Sequence, residues 1–137
     1  MTVLRATVFV DTSALFAVLD ADDENHAAAL AVWKRLLSER PRLVTHNYVL
    51  VETGALVQRL LGPAALRALF EDIQPIFSVE WIDESRHRRA VDMVLAAARK
   101  KLSLVDCASF VLAGETRADQ IFCFDRHFRE FGFQTIP

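Results

Sequence analysis

Four carboxylic acids lie among apolar residues, where a charged side chain needs an oppositely charged partner or a bound metal ion. Asp11 and Asp125 each follow directly after a short apolar run, and Asp106 shares a helical stripe with apolar side chains. Glu52 lies in the middle of a predicted helix between apolar neighbours, where no helix end needs a cap. Like charges ~4 Å apart repel by about 4 kcal/mol at an effective dielectric constant of ~20, so acids that converge need cations.

The ligand type decides which cation such acids prefer. Carboxylate oxygens without histidine or cysteine favour Mg²⁺, with Mn²⁺ as a substitute, over zinc. These ions also bind phosphate oxygens, activate water and stabilise a departing oxygen. If the four acids converge, the expected chemistry is therefore the hydrolysis of phosphodiester bonds by water that the metal activates.

Each acid also has a structural interpretation that involves no chemistry. The two acids that follow apolar runs are suited to cap the helices after them. Ser103 and Asp106 match the capping box, in which each side chain binds the backbone N–H of the other. For Glu52 the structural alternative is an ion pair with Arg59 or another base.

Apolar patterning predicts strands that alternate with helices. Strands are predicted over residues 8–10, 43–45, 76–82, 120–124 and 133–136. Helices are predicted over residues 14–19, from the acidic segment 22–25 to just before Pro41, and over 47–61, 64–73, 83–101, 102–117 and 126–131. This alternation predicts an α/β fold with a central parallel sheet and helices on both faces. Ligands of such sheets bind beyond the carboxyl ends of the strands, which is where Asp11 and Asp125 fall.

Size and composition narrow the class of protein. The chain has 137 residues, the size of one domain, and we expect a single domain over 1–137. The net charge of -2 provides no general attraction for nucleic acid, so a polyanion must be held locally. Cys107 and Cys123 have neither zinc-site nor disulfide spacing, which is typical of buried thiols in a reducing compartment. No apolar run is long enough to span a membrane and no signal-peptide pattern is present, so we expect a cytoplasmic protein.

Three motifs and one helix carry a family resemblance. The motifs are VFVDTSAL at 8–15, LSLVD at 102–106 and IFCFDRHF at 121–128 followed by Gly132-Phe133, and the helix is the one that contains Glu52. Together they resemble the PIN-domain family, in particular the VapC-type toxins of toxin–antitoxin pairs. The first and last motifs are the more specific ones, whereas Glu52 is matched by its order in the chain and by its helix.

The resemblance implies a Mg²⁺-dependent endoribonuclease that cleaves RNA, with transfer or ribosomal RNA as expected substrates. It also implies a homodimer and a small VapB-like antitoxin that covers the acidic site. The resemblance assigns the metal to Asp11, Glu52, Asp106 and Asp125. Thr12, Ser13 and Ser103 are expected to support these acids.

The chain departs from the family pattern at two cysteines. Cys123 stands where the family often has Thr or Ser two residues before the last acid, which puts one supporting hydrogen bond in doubt. Cys107 takes a position where Ala is common. Asp23 and His26 lie where related toxins often carry an Asp and a His, although Asp23 also suits the start of a helix.

Other polar residues near the motifs have competing interpretations. His127 is expected to pack or cap rather than to act as an acid. Arg86 and Arg89 begin a helix, where cations are mildly unfavourable, and they are therefore predicted to face RNA. The basic run 99–101 lies at a predicted helix end, where the helix dipole favours cations.

Four other functions are compared with the toxin. A phosphatase of the haloacid-dehalogenase type needs a second Asp two residues after the first, where this chain has Ser13. A receiver domain needs an acidic pair before the first helix and a late Lys, and it fits less well. A PIN nuclease of RNA maturation and a non-catalytic PIN-like module that binds RNA or protein remain alternatives to the toxin.

Overall fold

The computed structural model describes residues 5–137, which form a five-stranded sheet and seven α-helices. The strands are β1 (Thr7–Val10), β2 (Arg42–His46), β3 (Ser78–Glu80), β4 (Gln120–Phe122) and β5 (Thr135–Ile136). The helices are α1 (Thr12–Leu19), α2 (His26–Glu39), α3 (Asn47–Leu61), α4 (Pro63–Ala68), α5 (Glu84–Ala97), α6 (Leu104–Glu115) and α7 (His127–Glu130).

All neighbouring strands are parallel, in the order β3-β2-β1-β4-β5. The chain moves outward from β1 to β3 and then returns to the other side of β1 to form β4. Because crossovers between parallel strands are right-handed, this reversal puts the helices before and after β3 on opposite faces of the sheet. The crevice at the carboxyl ends of β1 and β4 is the switch point where such sheets bind ligands. The predicted α/β fold is confirmed.

The central strands are apolar on both faces, as a covered parallel sheet requires. Phe9, Val10, Ile121 and Phe122 are completely buried. Helix α6 is also buried on all sides from Asp106 to Ala113, so its acid is carried into the interior together with apolar side chains. Between residues 5 and 137, no helix combines the length and the apolar character that crossing a membrane requires.

Several element boundaries differ from the sequence prediction. Helix α2 begins at His26, after the acidic segment, and α5 ends at Ala97 because Ala98 adopts a left-handed conformation. The third strand shrinks to three residues because a 3₁₀ turn occupies Gln74–Ile76. Helix α4 continues into a π-helical turn over Leu69–Ile73. The predicted helical region 64–73 is therefore α-helical up to Ala68 and π-helical after it.

Candidate active site

Asp11 connects the end of β1 to the start of α1. Its backbone N–H donates to the carbonyl of Phe122 on β4 at 3.0 Å, which fixes the acid beside the neighbouring strand. Its Oδ2 accepts from the backbone N of Ser13 at 3.2 Å and from the Ser13 hydroxyl at 2.7 Å. Asp11 is therefore the N-cap of α1, as the structural interpretation predicted.

The Asp11 carboxyl is also electrostatically unusual for a cap. Burial raises its pKa from 3.8 to about 7, against the hydrogen bonds from Ser13, which lower it. The nearby carboxylates of Asp106 and Asp125 raise it further. The three carboxylates are therefore close enough to repel one another across the switch point. Asp11 thus takes part in this acidic group in addition to capping α1.

The Ser13 hydroxyl forms hydrogen bonds to both sides of this crevice. Its hydroxyl donates to Asp11 and accepts from the backbone N–H of Phe124 at 2.9 Å. The segment before Asp125 is thereby held against the first motif. These contacts are those of a residue that orients an acid.

Asp106 reaches the crevice from the first turn of α6. The predicted capping box is present: Ser103 Oγ accepts from Asp106 N at 3.0 Å, and Asp106 Oδ2 accepts from Ser103 N at 3.1 Å. Burial, with a contribution from Asp125, raises the pKa of the Asp106 carboxyl. The box fixes the side chain while the carboxylate still faces Asp125 and His127.

Asp125 and His127 complete the acidic cluster. Asp125 Oδ1 accepts from the backbone N of His127 at 2.9 Å, and the imidazole Nδ1 of His127 lies 2.8 Å from the same oxygen. The same Nδ1 lies 3.8 Å from Oδ2 of Asp106. One ligand atom from each of Asp106, Asp125 and His127 falls within 4.8 Å of the others. The sequence prediction gave His127 no site role, although its position two residues after Asp125 was an available signal.

The side chains of this crevice fit a divalent cation. His127 Nδ1 in this crevice, and Thr12 Oγ1 in the residue after Asp11, are buried without hydrogen-bond geometry to any partner in residues 5–137. The carboxylates of Asp11, Asp106 and Asp125 repel one another, and a cation removes that cost. A donor set dominated by carboxylate oxygens suits Mg²⁺ or Mn²⁺.

Glu52 lies on α3 and is half-buried. It is not among the three residues whose ligand atoms group within 4.8 Å. Within the described part of the chain its carboxylate forms no ion pair, so the alternative pairing with Arg59 is not observed. Its assignment to the metal stays a prediction.

Cys123 recovers part of the hydrogen bonding that the family's Thr or Ser was expected to provide. Its Sγ donates to the Asp125 carbonyl at 3.6 Å, and burial raises the pKa of the thiol to about 12. Cys107 is buried as well, and both cysteines are free, as predicted.

The predicted RNA-facing arginines both have a carboxylate partner. Arg86 Nε donates to Glu115 at 2.8 Å and its Nη1 donates to the Trp81 carbonyl at 2.9 Å. Arg89 donates to the other oxygen of Glu115. These contacts join α5 to the end of α6 and give the two arginines a structural task.

Asp23 and His26 are both engaged near the start of α2. Asp23 accepts from the backbone N of Asn25 at 2.8 Å, and His26 Nδ1 lies 2.7 Å from the carbonyl oxygen of Ala17 on α1. Both residues therefore hold the α1–α2 connection.

Comparison with known proteins agrees with this architecture. The PIN domain family model matches residues 8–134. Over 130 residues the chain is 30% identical to the 23S rRNA-specific endonuclease VapC20 of Mycobacterium tuberculosis, covering 94% of this chain and 97% of that protein. It is 31% identical over 123 residues to the ribonuclease VapC26 of the same organism, covering 88% of this chain and 89% of that protein.

Solved structures show the same likeness. The crystal structure of VapC20, a toxin that cleaves the sarcin-ricin loop, superposes with a TM-score of 0.79 at 29% identity, covering 92% of this chain and 95% of that one. FitAcB from Neisseria gonorrhoeae shares the fold, with a TM-score of 0.69 at 15% identity over 95% of this chain and 96% of that one. The chain thus belongs to the PIN-domain family and is a homologue of the VapC endonucleases.

Proposed function

We propose that this chain, as a single domain over residues 1–137, is a Mg²⁺-dependent endoribonuclease and the toxin of a VapBC-type pair. The observation that carries the proposal is the cluster of Asp106, Asp125 and His127 beside the buried Asp11, at the switch point of the sheet. Homology to VapC20 and VapC26 supports the same activity.

Each side chain has a defined task in this proposal. Asp11, Asp106 and Asp125 hold the metal, and Glu52 completes the acidic set from α3. A bound Mg²⁺ supplies the activation of water and the stabilisation of charge on the departing oxygen. Ser13 keeps the Asp11 carboxylate oriented through the hydroxyl hydrogen bond at 2.7 Å.

His127 positions the last acid of the set. Its backbone N–H and its ring nitrogen both approach the same oxygen of Asp125. The other carboxylate oxygen of Asp125 would then be available to hold the metal.

Ribosomal RNA is the first substrate to test, because VapC20 is a 23S rRNA-specific endonuclease. Transfer RNA is the second substrate class that the motifs imply. We further propose a cytoplasmic homodimer that is inhibited by a small VapB-like antitoxin.

The test is cleavage of ribosomal and transfer RNA by the purified protein with Mg²⁺ or with a chelator. Asp106→Asn and Asp125→Asn are the informative variants, because the Asn side-chain oxygen can still accept the backbone N–H bonds from Ser103 and His127, and both variants should fold. We expect cleavage by the wild type with Mg²⁺ alone and its loss in both variants. Cleavage that survives chelation or either substitution would contradict the proposal.

A further inference from the structure

A surface groove begins beside the acidic cluster and runs along the β5 edge of the sheet. Its first part is a cavity of about 150 Å³ lined by Cys123, Asp125, Arg126, Arg129 and Thr135, among others. A second cavity of about 330 Å³ is lined by Arg129, Phe133, Gln134 and Thr135. Because both cavities share Arg129 and Thr135, they form adjoining parts of one groove, and Asp125 belongs both to the groove and to the acidic cluster.

The guanidinium groups of the two arginines in this groove have hydrogen-bond donors that can bind a ligand. Arg129 Nε donates to the Thr135 hydroxyl at 2.8 Å, and across residues 5–137 its guanidinium has no carboxylate partner. Arg126 Nε lies 3.6 Å from one oxygen of Glu130, whose other oxygen accepts a hydrogen bond from Arg99 at 2.8 Å, so the ion pair of Arg126 is long and its carboxylate is shared. Both guanidinium groups therefore keep donors available at the mouth of the acidic site.

Arg129 differs in this respect from the arginines of α5. Arg86 and Arg89 both donate hydrogen bonds to Glu115, which is less than one-third exposed. A protein of net charge -2 must hold an RNA strand by local cations, and the groove offers Arg129, which has no carboxylate partner among residues 5–137.

The chemistry of the groove matches a nucleic acid strand. Guanidinium groups match phosphate geometry with two parallel hydrogen bonds, and single strands bind where cations and aromatic faces alternate. Phe133 supplies such a face, and it is held in place by stacking on Phe110 with a ring separation of 6.0 Å. Gln134 adds an amide next to it, with both donors and an acceptor for a base edge.

We propose that this groove binds the RNA strand on one side of the scissile phosphate. Arg126 and Arg129 bind the neighbouring backbone phosphate, and Phe133 and Gln134 contact the nucleotide beyond it. The inference rests on the proposed nuclease function and adds to it the path of the substrate. It assigns the RNA-binding cations to the β5 edge, whereas the sequence predicted them on α5.

The test measures RNA binding and metal binding separately. The probe is a fluorescent single-stranded RNA oligonucleotide in the presence of a chelator, so that binding is measured without cleavage. Arg126→Gln and Arg129→Gln should each weaken binding about tenfold, the value of one lost charge-assisted contact. Each should also reduce the slope of log K against log salt concentration by about 0.7.

Two further variants control for charge and for folding. Arg67→Gln removes an exposed arginine of α4 that pairs with Glu71 at the next turn, as Arg126 pairs with Glu130, and it should leave RNA binding unchanged. Arg129→Lys keeps the charge but loses the planar fork, so it should restore the salt slope and only part of the affinity. Mn²⁺ affinity should equal that of the wild type in all four variants.

The outcomes separate this inference from the proposed function. If the wild type cleaves RNA and the groove variants bind it as well as Arg67→Gln does, the groove is not the RNA path, while the nuclease assignment stands. Loss of Mn²⁺ binding in the groove variants would likewise overturn the inference, because the arginines would then act on the metal site. A wild type that binds Mn²⁺ but neither binds nor cleaves RNA overturns both proposals.

Discussion

At the scale of single residues, Asp11 shows how a helix cap becomes part of an active site. Its carboxylate accepts two hydrogen bonds from Ser13, yet its pKa is raised to about 7 because burial and two neighbouring acids oppose the charge. A carboxyl with a raised folded-state pKa destabilises the metal-free fold at high pH, since the unfolded chain ionises it freely. The penalty is small near pH 4 and grows as the pH rises toward 8.

The first prediction concerns this penalty. Asp11→Asn keeps the cap, so in a chelator at pH 8 it should increase the free energy of unfolding by about 2–4 kcal/mol. At pH 4, where the acid is protonated in the folded protein, the gain should nearly vanish. Urea denaturation of both proteins at the two pH values measures the difference. If the variant is less stable than the wild type at pH 8, the hydrogen bonds of the ionised cap stabilise the fold by more than the burial of its charge destabilises it.

The pKa of His46, which lies outside the acidic cluster, is lowered by burial, whereas the pKa of Asp11 is raised. Its Nδ1 accepts from Val49 N at 3.2 Å, and its Nε2 lies 2.8 Å from the hydroxyl oxygen of Ser109, whose own proton goes to the Val105 carbonyl. Nε2–H therefore donates to Ser109, and the ring is bonded as a neutral imidazole. Burial lowers its pKa from 6.5 to about 3.

The second prediction follows from that shift. Between pH 6.5 and 3 the unfolded chain binds a proton at His46 that the folded chain does not, so stability falls on acidification. Relative to His46→Asn, which retains an N-cap acceptor, the wild type should lose about 3 kcal/mol more between pH 7 and pH 4. Urea denaturation measures both proteins, and the comparison cancels the contributions of the other acids. Parallel pH profiles would show that His46 is protonated in the folded state.

At the scale of elements, α6 carries Asp106 at one end and Glu115 at the other. The capping box sets the position of the acid, and the arginines of α5 hold the opposite end. One helix therefore couples the site to the α5 face, although only its first turn contacts the acidic cluster.

The third prediction tests the capping box. Ser103→Ala removes the acceptor for Asp106 N and should cost about 1 kcal/mol of stability. Because the same box orients the Asp106 carboxylate, Mn²⁺ affinity should fall as well. Thermal unfolding and Mn²⁺ titration measure the two effects. Ser103→Thr, which keeps a capping hydroxyl, is the control and should largely restore both.

The fourth prediction concerns the link between α5 and α6. Arg86→Gln should reduce stability by about 1 kcal/mol, because Arg86 is three-quarters buried and bonds both Glu115 and the Trp81 carbonyl. Its affinity for the RNA probe should stay within twofold of the wild type. Urea denaturation and probe binding measure the two quantities. A large loss of RNA affinity at unchanged stability would instead support the prediction from sequence that this arginine faces RNA.

At the scale of the whole molecule, the site joins segments far apart in the chain. Asp11, Asp106 and Asp125 converge because β1 and β4 are neighbours and α6 packs beside them. A cation that holds these acids therefore holds the two halves of the sheet together, and its binding free energy is added to the stability of the fold.

The fifth prediction measures that linkage. Mg²⁺ at about 100 times its Kd should add about 2.7 kcal/mol to the free energy of unfolding and raise the Tm by about 10 °C. Thermal unfolding with Mg²⁺ and with a chelator gives the difference. Asp125→Asn should show little or no rise. An equal rise in this variant would mean that Mg²⁺ stabilises the protein elsewhere.

The sequence by itself determined the α/β architecture, the position of Asp11 after a buried strand and the capping box of α6. Local sequence patterns predict each of these features: apolar runs, cap residues and the spacing of a helical turn. The same signals placed Asp125 directly after a buried strand, whereas the family was recognised from the resemblance of the motifs at 8–15, 102–106 and 121–128. The lengths of β3 and α5 do not follow from the sequence, because a 3₁₀ turn before β3 and a left-handed residue after α5 set those boundaries without a strong local pattern.

Tertiary structure alone decided which charged groups meet. His127 joins the acids, Glu115 binds the arginines of α5, and Arg129 lies beside Thr135 in the groove. These pairings depend on how α6, α7 and β5 pack around the switch point, and side chains from distant segments leave no periodic trace in the sequence. Local patterns therefore specify the elements and their caps, whereas packing sets the electrostatics of the site.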